Sequence, residues 1–308
     1  MKDLIILGNG MAGMTAALYA KRANLDFKIV GRDEYDFGQI GNAILVENFP
    51  CAESQSGFDL AMKLHDQLVA NEIEIEEHEV KEVLKESDET FSIEYEDGTF
   101  DYAKTIIYAL GARHRELNCE IEEGVPIHYC ALCDGALYKN KTVAVIGGGD
   151  VAFTQAEYLS QICKEVKILM CDDKVTAAPK TYERVKKISN IHIYFNCPVT
   201  KLSHQTISDG PYWIWCEGVR GPIFADGIFV AIGMIPNTKP LEHLMSLDEG
   251  YITCWADYRA LHCDNLIAAG DVRRKLVHQA LTAASDGAIA VDTATRIIKY
   301  SKYKSDNK

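Results

Sequence analysis

The 308-residue sequence has no apolar run long enough to span a bilayer as a helix, no C-x-x-C other than Cys130–Cys133, no H-x-x-x-H, no short repeat and no low-complexity linker. The first absence argues against a helical membrane protein. The next two leave a structural zinc site short of ligands, and no metal is expected. Positive charge is also in deficit. The formal net charge is −13, which argues against nucleic acid as a partner. The deficit is concentrated: residues 72–101 hold thirteen acids and two lysines, while the remainder is nearly balanced. An acidic, solvated sheet face accounts for that block. The start, MKDLIILGNG, carries Asp3 and runs straight into a glycine turn, so it does not read as a signal peptide. A cytoplasmic protein is expected, with reduced thiols at the eight cysteines outside the Cys130–Cys133 pair.

What is present is a twice-used pattern. The apolar run DLIIL ends at GNGMAG, an Ala- and Leu-rich helix follows, and DFKIV reads as the next strand. Residues 57–70 have helical period, and alternation from Glu72 to Leu110 predicts an antiparallel meander. The strand–glycine–helix pattern then restarts at KTVAVIGGGDVA, 139 positions further on, and is followed by the strand EVKILM. A second meander is predicted over about Ile191 to Val230, then the strand NLIAAGD and a long helix from His278. This predicts an α/β protein in which one Rossmann-like domain interrupts another.

Three motifs carry chemistry. Gly8, Gly10 and Gly13 have G-x-G-x-x-G spacing between a strand and a helix. The first glycine allows a tight turn, the second lets a pyrophosphate approach backbone N–H groups, and the third lets helix and strand pack closely. The acid expected at the end of the second strand is missing, since Val30 and Gly31 stand there, so ribose recognition falls to the following loop. In AAGD and HQALTAASDG, Asp271 follows Gly270 and can accept a hydrogen bond from a ribityl hydroxyl, or can simply open a helix. The N–H groups near Gln279 and Ala280 can face the edge of a flavin where reduction places negative charge. In HYCALCDG, Cys130 and Cys133 can close a small redox-active disulfide, and Asp134 beside them can move a proton to or from a thiolate.

These segments occur in one order with FGQI, VENFP, ALGAR, AIGMIPNT and AAGDV. In that order the chain resembles the low-molecular-weight flavoprotein thioredoxin reductases over essentially its whole length. The resemblance implies two Rossmann-like three-layer domains, with an FAD domain over 1–113 and 246–308 interrupted by a redox domain over 114–245. It implies FAD contacts at Gly8, Gly10, Met11, Ala12, Gly13, Gly38, Gln39, Asn48, Gly111, Gly270, Asp271, Val272, Gln279 and Ala280. It also implies that Cys133 faces the flavin, that Cys130 attacks the disulfide of thioredoxin, that the protein is a homodimer, and that a domain rotation carries the cysteines between flavin and thioredoxin. His278 departs from the arginine common there.

A larger departure lies after the second glycine turn. NADPH-dependent members end the next strand in H-R-R-x-x-x-R, whose arginines take the 2′-phosphate. Here Met170, Cys171, Asp172 and Thr176 occupy those positions, and Thr154 and Gln155 replace acids in the helix. Asp172 and Asp173 repel a phosphate. Two readings remain: an aspartate grips the ribose hydroxyls of NADH, or the nucleotide has been lost and electrons come from another carrier. The sequence resembles the ferredoxin-dependent flavin thioredoxin reductases, so reduced ferredoxin is the expected donor, with NADH as the alternative. Ferredoxins being acidic, Arg273, Arg274 and Lys275, the RVKK run at 184–187 and the C-terminal KYSKYK are candidate docking cations.

Overall fold

A computed structural model describes residues 1–43, 46–86, 90–204 and 211–306. The chain folds as two units: residues 1–113 with 235–308, and residues 114–234.

The first unit opens with β1 (Lys2–Leu7), α1 (Met11–Arg22), β2 (Phe27–Gly31), α2 (Gly57–Ala70), β3 (Ile75–Glu77), β4 (Val80–Lys85), β5 (Phe91–Tyr95) and β6 (Phe100–Tyr108). The crossing strand β7 (Ala112–His114) leads into the second unit. There follow β8 (Glu120–Ile121), β9 (Ile127–His128), α3 (Ala131–Asp134), β10 (Thr142–Ile146), α4 (Asp150–Ser160), β11 (Glu165–Leu169) and α5 (Pro179–Val185). The unit continues with β12 (Ile191–Tyr194), β13 (Val199–Ser203), β14 (Tyr212–Cys216), β15 (Ile223–Ala225) and β16 (Gly227–Val230). After β17 (Met234–Pro236), β18 (Arg259–Ala260), β19 (Cys263–Ala268) and α6 (Ala280–Asp306) complete the first unit.

The protein is α/β, and each unit carries a Rossmann-like parallel sheet. In the first the parallel order is β19-β6-β1-β2-β3, with the β4–β5 hairpin added antiparallel on β6. In the second it is β9-β16-β10-β11-β12. The two plans match strand for strand. Both central strands are buried on both faces: Leu4 and Ile6 pack in one cluster and Ile5 and Leu7 in another, and Val143 and Val145 are likewise separated from Ala144 and Ile146. Alternate residues of a strand point to opposite faces, so each sheet is the middle of three layers. Burying such a side chain contributes roughly 1.5–3 kcal/mol.

Three expectations change. The second crossing falls at 234/235 and not at 245/246. Asn237 ties this segment to the first unit, its backbone N–H donating to Gly111 O at 2.9 Å and its side chain to Leu110 O at 2.8 Å, and Leu241 is fully buried there. The second meander is confined to β13, β14 and β15, while β12 and β16 belong to the parallel sheet. Cys197 and Cys216 are not separate thiols: they form a disulfide with Cα atoms 5.2 Å apart, because the β13–β14 pairing sets Val199 opposite Cys216. Among the described residues no helix is long and apolar enough to cross a membrane.

Candidate active site

The first glycine turn follows β1. Gly8 has φ +107, and a Cβ there would meet Ala109 O at 2.4 Å; one on Gly13 would meet Gly8 O at 1.7 Å. Both positions therefore exclude any larger residue. Gly10 differs: a Cβ would meet only Phe37 O, at 3.5 Å. It caps α1 without a side-chain hydrogen bond, and the first turn of α1, which holds Met11, Ala12 and Gly13, has no acid. The first N–H groups of a helix lack intrahelical partners, so this end of α1 suits an anion. The acid missing after β2 has a steric cause. A Cβ on Gly31 would lie 2.5 Å from the side chain of Asn9, and that buried amide donates to Asp33 O at 2.8 Å.

The other candidates on this unit collect on neighbouring loops. Gly38 (φ +65) and Gly111 (φ +67) have no neighbour within 4 Å of a built Cβ. Gln39 donates to Ala112 O. Asn48 donates to Gln279 Oε1 at 3.0 Å, which joins two segments 231 residues apart in sequence just before α6 begins at Ala280. Gly270 (φ +79) packs against Ala12, and Val272 is fully buried. Asp271 Oδ1 stands 3.0 Å from Lys275 Nζ and 3.5 Å from His278 Nδ1. Lys275 is an ion-pair partner and His278 becomes one when protonated; neither contact has directed hydrogen-bond geometry, so the oxygen keeps an acceptor position among the described residues. Burial pushes the Asp271 carboxyl up, but His278 and Lys275 outweigh it and hold the group below its usual range. An open, uncapped helix end and an underused buried acceptor fit a dinucleotide with a hydroxylated chain, the shape of FAD.

Sequence reading missed Asp286. It is buried, accepts from Gly270 N at 3.0 Å, and pairs with Arg273 Nε at 3.0 Å and Lys275 Nζ at 3.2 Å. Its legible signal was its place in the HQALTAASDG run. This network accounts for two of the candidate docking cations, Arg273 and Lys275. The Arg273 and Lys275 side chains are 15% and 7% exposed and neutralised inside the unit, and Arg274 pairs with Glu249 and Asp248. In the 184–187 run, Arg184 is held by Glu157 and Lys186 by Glu183. The side chains of Lys302 and Lys304 lie outside the described residues.

On the second unit, Cys130 and Cys133 form a disulfide at the head of α3, with Cα atoms 5.3 Å apart. The Cys133 N–H donates to Cys130 Sγ at 3.2 Å, and the Asp134 N–H to Cys130 O at 3.0 Å. Both cysteines are half-buried. Gln155, one of the departures in α4, donates to Tyr129 O at 2.9 Å and so anchors the residue before Cys130.

The second glycine turn keeps its backbone function. Gly147 has φ +146, with Ala231 O 2.3 Å from a built Cβ. An acid follows the turn directly. Asp150 sits in the first turn of α4 and accepts from Ala178 N at 2.9 Å. Thr176 and Ala177 N–H groups both donate to Gly148 O. Met170 is buried over Gly148, and Cys171, Asp172 and Asp173 are exposed. Asp172 accepts from Lys174 N at 2.9 Å.

A disulfide on one Rossmann-like unit and an open glycine turn on the other are the parts of a flavin-linked disulfide oxidoreductase. The model of the family described as pyridine nucleotide-disulphide oxidoreductase matches residues 2–287. The chain belongs to that family. Its members of the thioredoxin reductase kind are FAD-binding flavoproteins. The chain is 34% identical to a thioredoxin reductase of Listeria monocytogenes, over 96% of this chain and 94% of that one. It is 35% identical to a Clostridium pasteurianum protein named as a 34.2 kDa protein in a rubredoxin operon, over 96% of this chain and 97% of that one. Among solved structures, thioredoxin reductase from Streptococcus pyogenes matches with TM-score 0.87 and 31% identity, over 97% of this chain and 99% of that one.

Proposed function

We propose that this family member reduces thioredoxin through FAD and the Cys130–Cys133 pair, with reduced ferredoxin as its electron donor. The observation that carries the disulfide chemistry is the Cys130–Cys133 bond with Asp134 in the same turn. Gly8, Gly10, Met11, Ala12 and Gly13 would receive the pyrophosphate. Gly38, Gln39, Asn48 and Gly111 would border the cofactor, Asp271 beside Gly270 and Val272 would take a ribityl hydroxyl, and Gln279 and Ala280 would meet the flavin edge. When bound, FAD accepts electrons singly or in pairs, which joins a one-electron donor to two-electron disulfide chemistry. Cys133 receives the electron pair as the disulfide opens. The Cys130 thiolate then attacks the disulfide of thioredoxin, and Cys133 resolves the mixed disulfide. The functional form in this reading is a cytoplasmic homodimer.

The relatives named thioredoxin reductase support the acceptor and leave the donor to the residues of the second turn. Asp150 opens α4 directly after that turn, and the exposed Asp172 and Asp173 follow β11 where a 2′-phosphate needs cations. Anaerobic addition of reduced ferredoxin should bleach the visible flavin band, and NADPH should leave it oxidised. Bleaching by NADPH at the rate of turnover would sink the donor assignment. In the same assay Cys130→Ser should abolish thioredoxin reduction while keeping its flavin; normal turnover would remove the dithiol role.

NADH is the second reading, and one observation favours it. Gly147, Gly149 and Ala152 are intact, and Asp172 forms the same local turn as Asp33, whose carboxylate accepts from Tyr35 N at 2.8 Å. Rapid bleaching by NADH selects this reading.

A further inference from the structure

His128 is the last residue of β9, two positions before Cys130, and its side chain is 3% exposed. It is a buried titratable group that the chemistry above does not use. Its Nδ1 stands 3.0 Å from Asp134 Oδ2, and its Nε2 lies 2.6 Å from the Tyr138 hydroxyl. The Nδ1–Asp134 approach is an ion-pair distance without directed hydrogen-bond geometry; a carboxylate only accepts, so a hydrogen on Nδ1 is the arrangement that compensates it, and Nε2 can then accept from Tyr138. The line Tyr138–His128–Asp134 thus ends on the residue next to Cys133.

The packing holds this line in place. Phe229, opposite His128 in the β9–β16 pairing, lies against both the His128 and the Tyr138 rings. Gly227 leaves the space for the phenol, since a Cβ there would fall 2.4 Å from the Tyr138 ring. Burial pushes the Tyr138 hydroxyl up to about 12, with Tyr212, Asp134 and Asp226 acting in the same direction. It therefore stays protonated and serves as a donor at neutral pH. The other charges facing the line are Asp226, whose carboxylate accepts from Thr142 N at 2.8 Å, and Lys141, whose ammonium lies 6.0 Å over the Tyr138 ring.

We propose that His128, oriented by Tyr138, is a positioning residue that holds the Asp134 carboxylate and thereby sets the acid–base behaviour of the Cys130–Cys133 dithiol. Reduction of the disulfide adds two electrons, breaks the S–S bond and leaves two sulfur anions. Two protons from solvent complete the dithiol, one of them through Asp134, and oxidation returns both. With the imidazole N–H in place, the negative charge of Asp134 is partly compensated. Without it, an uncompensated carboxylate stands beside Cys133 and disfavours the thiolate.

This rests on the reading of Cys130–Cys133 as the redox pair, and the test separates the two. The full chain is reduced with dithiothreitol, which supplies both electrons, and freed of it anaerobically. Iodoacetamide alkylation of Cys130 and Cys133 is then followed by peptide mass between pH 5 and 10. His128→Leu, similar in bulk but apolar, should raise the Cys133 half-point by about one pH unit. His128→Asn, whose side-chain amide replaces the Nδ1 donor, should restore it to within a few tenths. Tyr138→Phe should move it the same way by less. A His128→Leu profile that superimposes on the parent, or a His128→Asn profile displaced equally far, overturns the proposal. If His128→Leu fails to fold, an unshifted Tyr138→Phe profile overturns it alone. Full alkylation of both cysteines before any reductant is added would instead strike the redox-pair reading.

Discussion

The two glycine turns occupy the same place in two sheets of the same plan, and they have been furnished in opposite ways. After β1 the middle residue of the turn is the large Asn9 and the residue ending β2 is Gly31. After β10 the middle residue is Gly148 and the residue beyond β11 is the large Met170. In each case one partner must lack a side chain, because a Cβ on Gly31 would meet Asn9 at 2.5 Å and one on Gly148 would meet Met170 at 2.7 Å. The backbone plan is shared down to the hydrogen bonds from Gly8 N to Val30 O and from Gly147 N to Leu169 O. What differs is charge: α1 has no acid in its first turn, whereas α4 has Asp150. A negative side chain at a helix N-terminus takes up the favourable field an anionic ligand would use. The glycines thus report the fold in both units, and their neighbours report the ligand.

The largest expected contrast comes from one substitution made at both turns. Gly10 and Gly149 each cap a helix with extended backbone, and a new Cβ would lie 3.5 and 3.6 Å from its nearest neighbour. Both tolerate alanine within about 1 kcal/mol. Gly10→Ala places its methyl where a pyrophosphate must approach, so flavin affinity should fall about tenfold or more. Gly149→Ala should keep its flavin in full. Equal flavin loss in the two variants, measured by absorbance after gel filtration, would collapse the distinction.

A smaller effect should follow from giving the second turn what it lacks. Asp172→Arg with Thr176→Arg replaces an acid and a hydroxyl beside Gly148 and Gly149 with two cations. Calorimetric titration should show NADPH binding strengthened by roughly tenfold, with NADH much less affected, because only the former carries the extra phosphate. Equal gains for both coenzymes would mean that overall charge, and not the 2′-position, was the deficiency.

Both turns are legible in the sequence, because strand, glycines and helix are local and periodic. The occupants of those turns could be read only in part. Asp172 and Asp173 are visible as charges, but the displacement of an acid by Gly31 depends on Asn9, 22 positions earlier. β12 was misread as part of a meander because it is the edge strand of its sheet, and a half-exposed edge alternates as an antiparallel strand does. The Cys197–Cys216 bond depends on the β13–β14 register, which spacing does not reveal. Arg273 and Lys275 looked like surface cations because sequence displays a charge without its partner; Asp286 lies thirteen and eleven positions away. His128 reads as an isolated residue until the turn after α3 brings Tyr138 back to it.

The smallest effect is expected where the two units match again. β19 and β9 hold equivalent positions in their sheets, and the segment after each supplies a carboxylate with a histidine beside it: Asp271 with His278, and Asp134 with His128. Asp271 has Lys275 as well, so it is the better compensated. Its folded pKa lies below the unfolded value of about 4. The stability it contributes is therefore present above that value and is lost as pH falls through the folded one. His278→Gln should shift the acid unfolding midpoint of the first unit upward by only a few tenths of a pH unit, since Lys275 remains. Lys275→Gln should shift it further, because that substitution also strips a cation from Asp286. Circular dichroism and flavin release between pH 5 and 2 measure both. If His278→Gln moved the midpoint more than Lys275→Gln, the imidazole would be the main counter-charge at Asp271, and the two carboxylates would be held alike in both units.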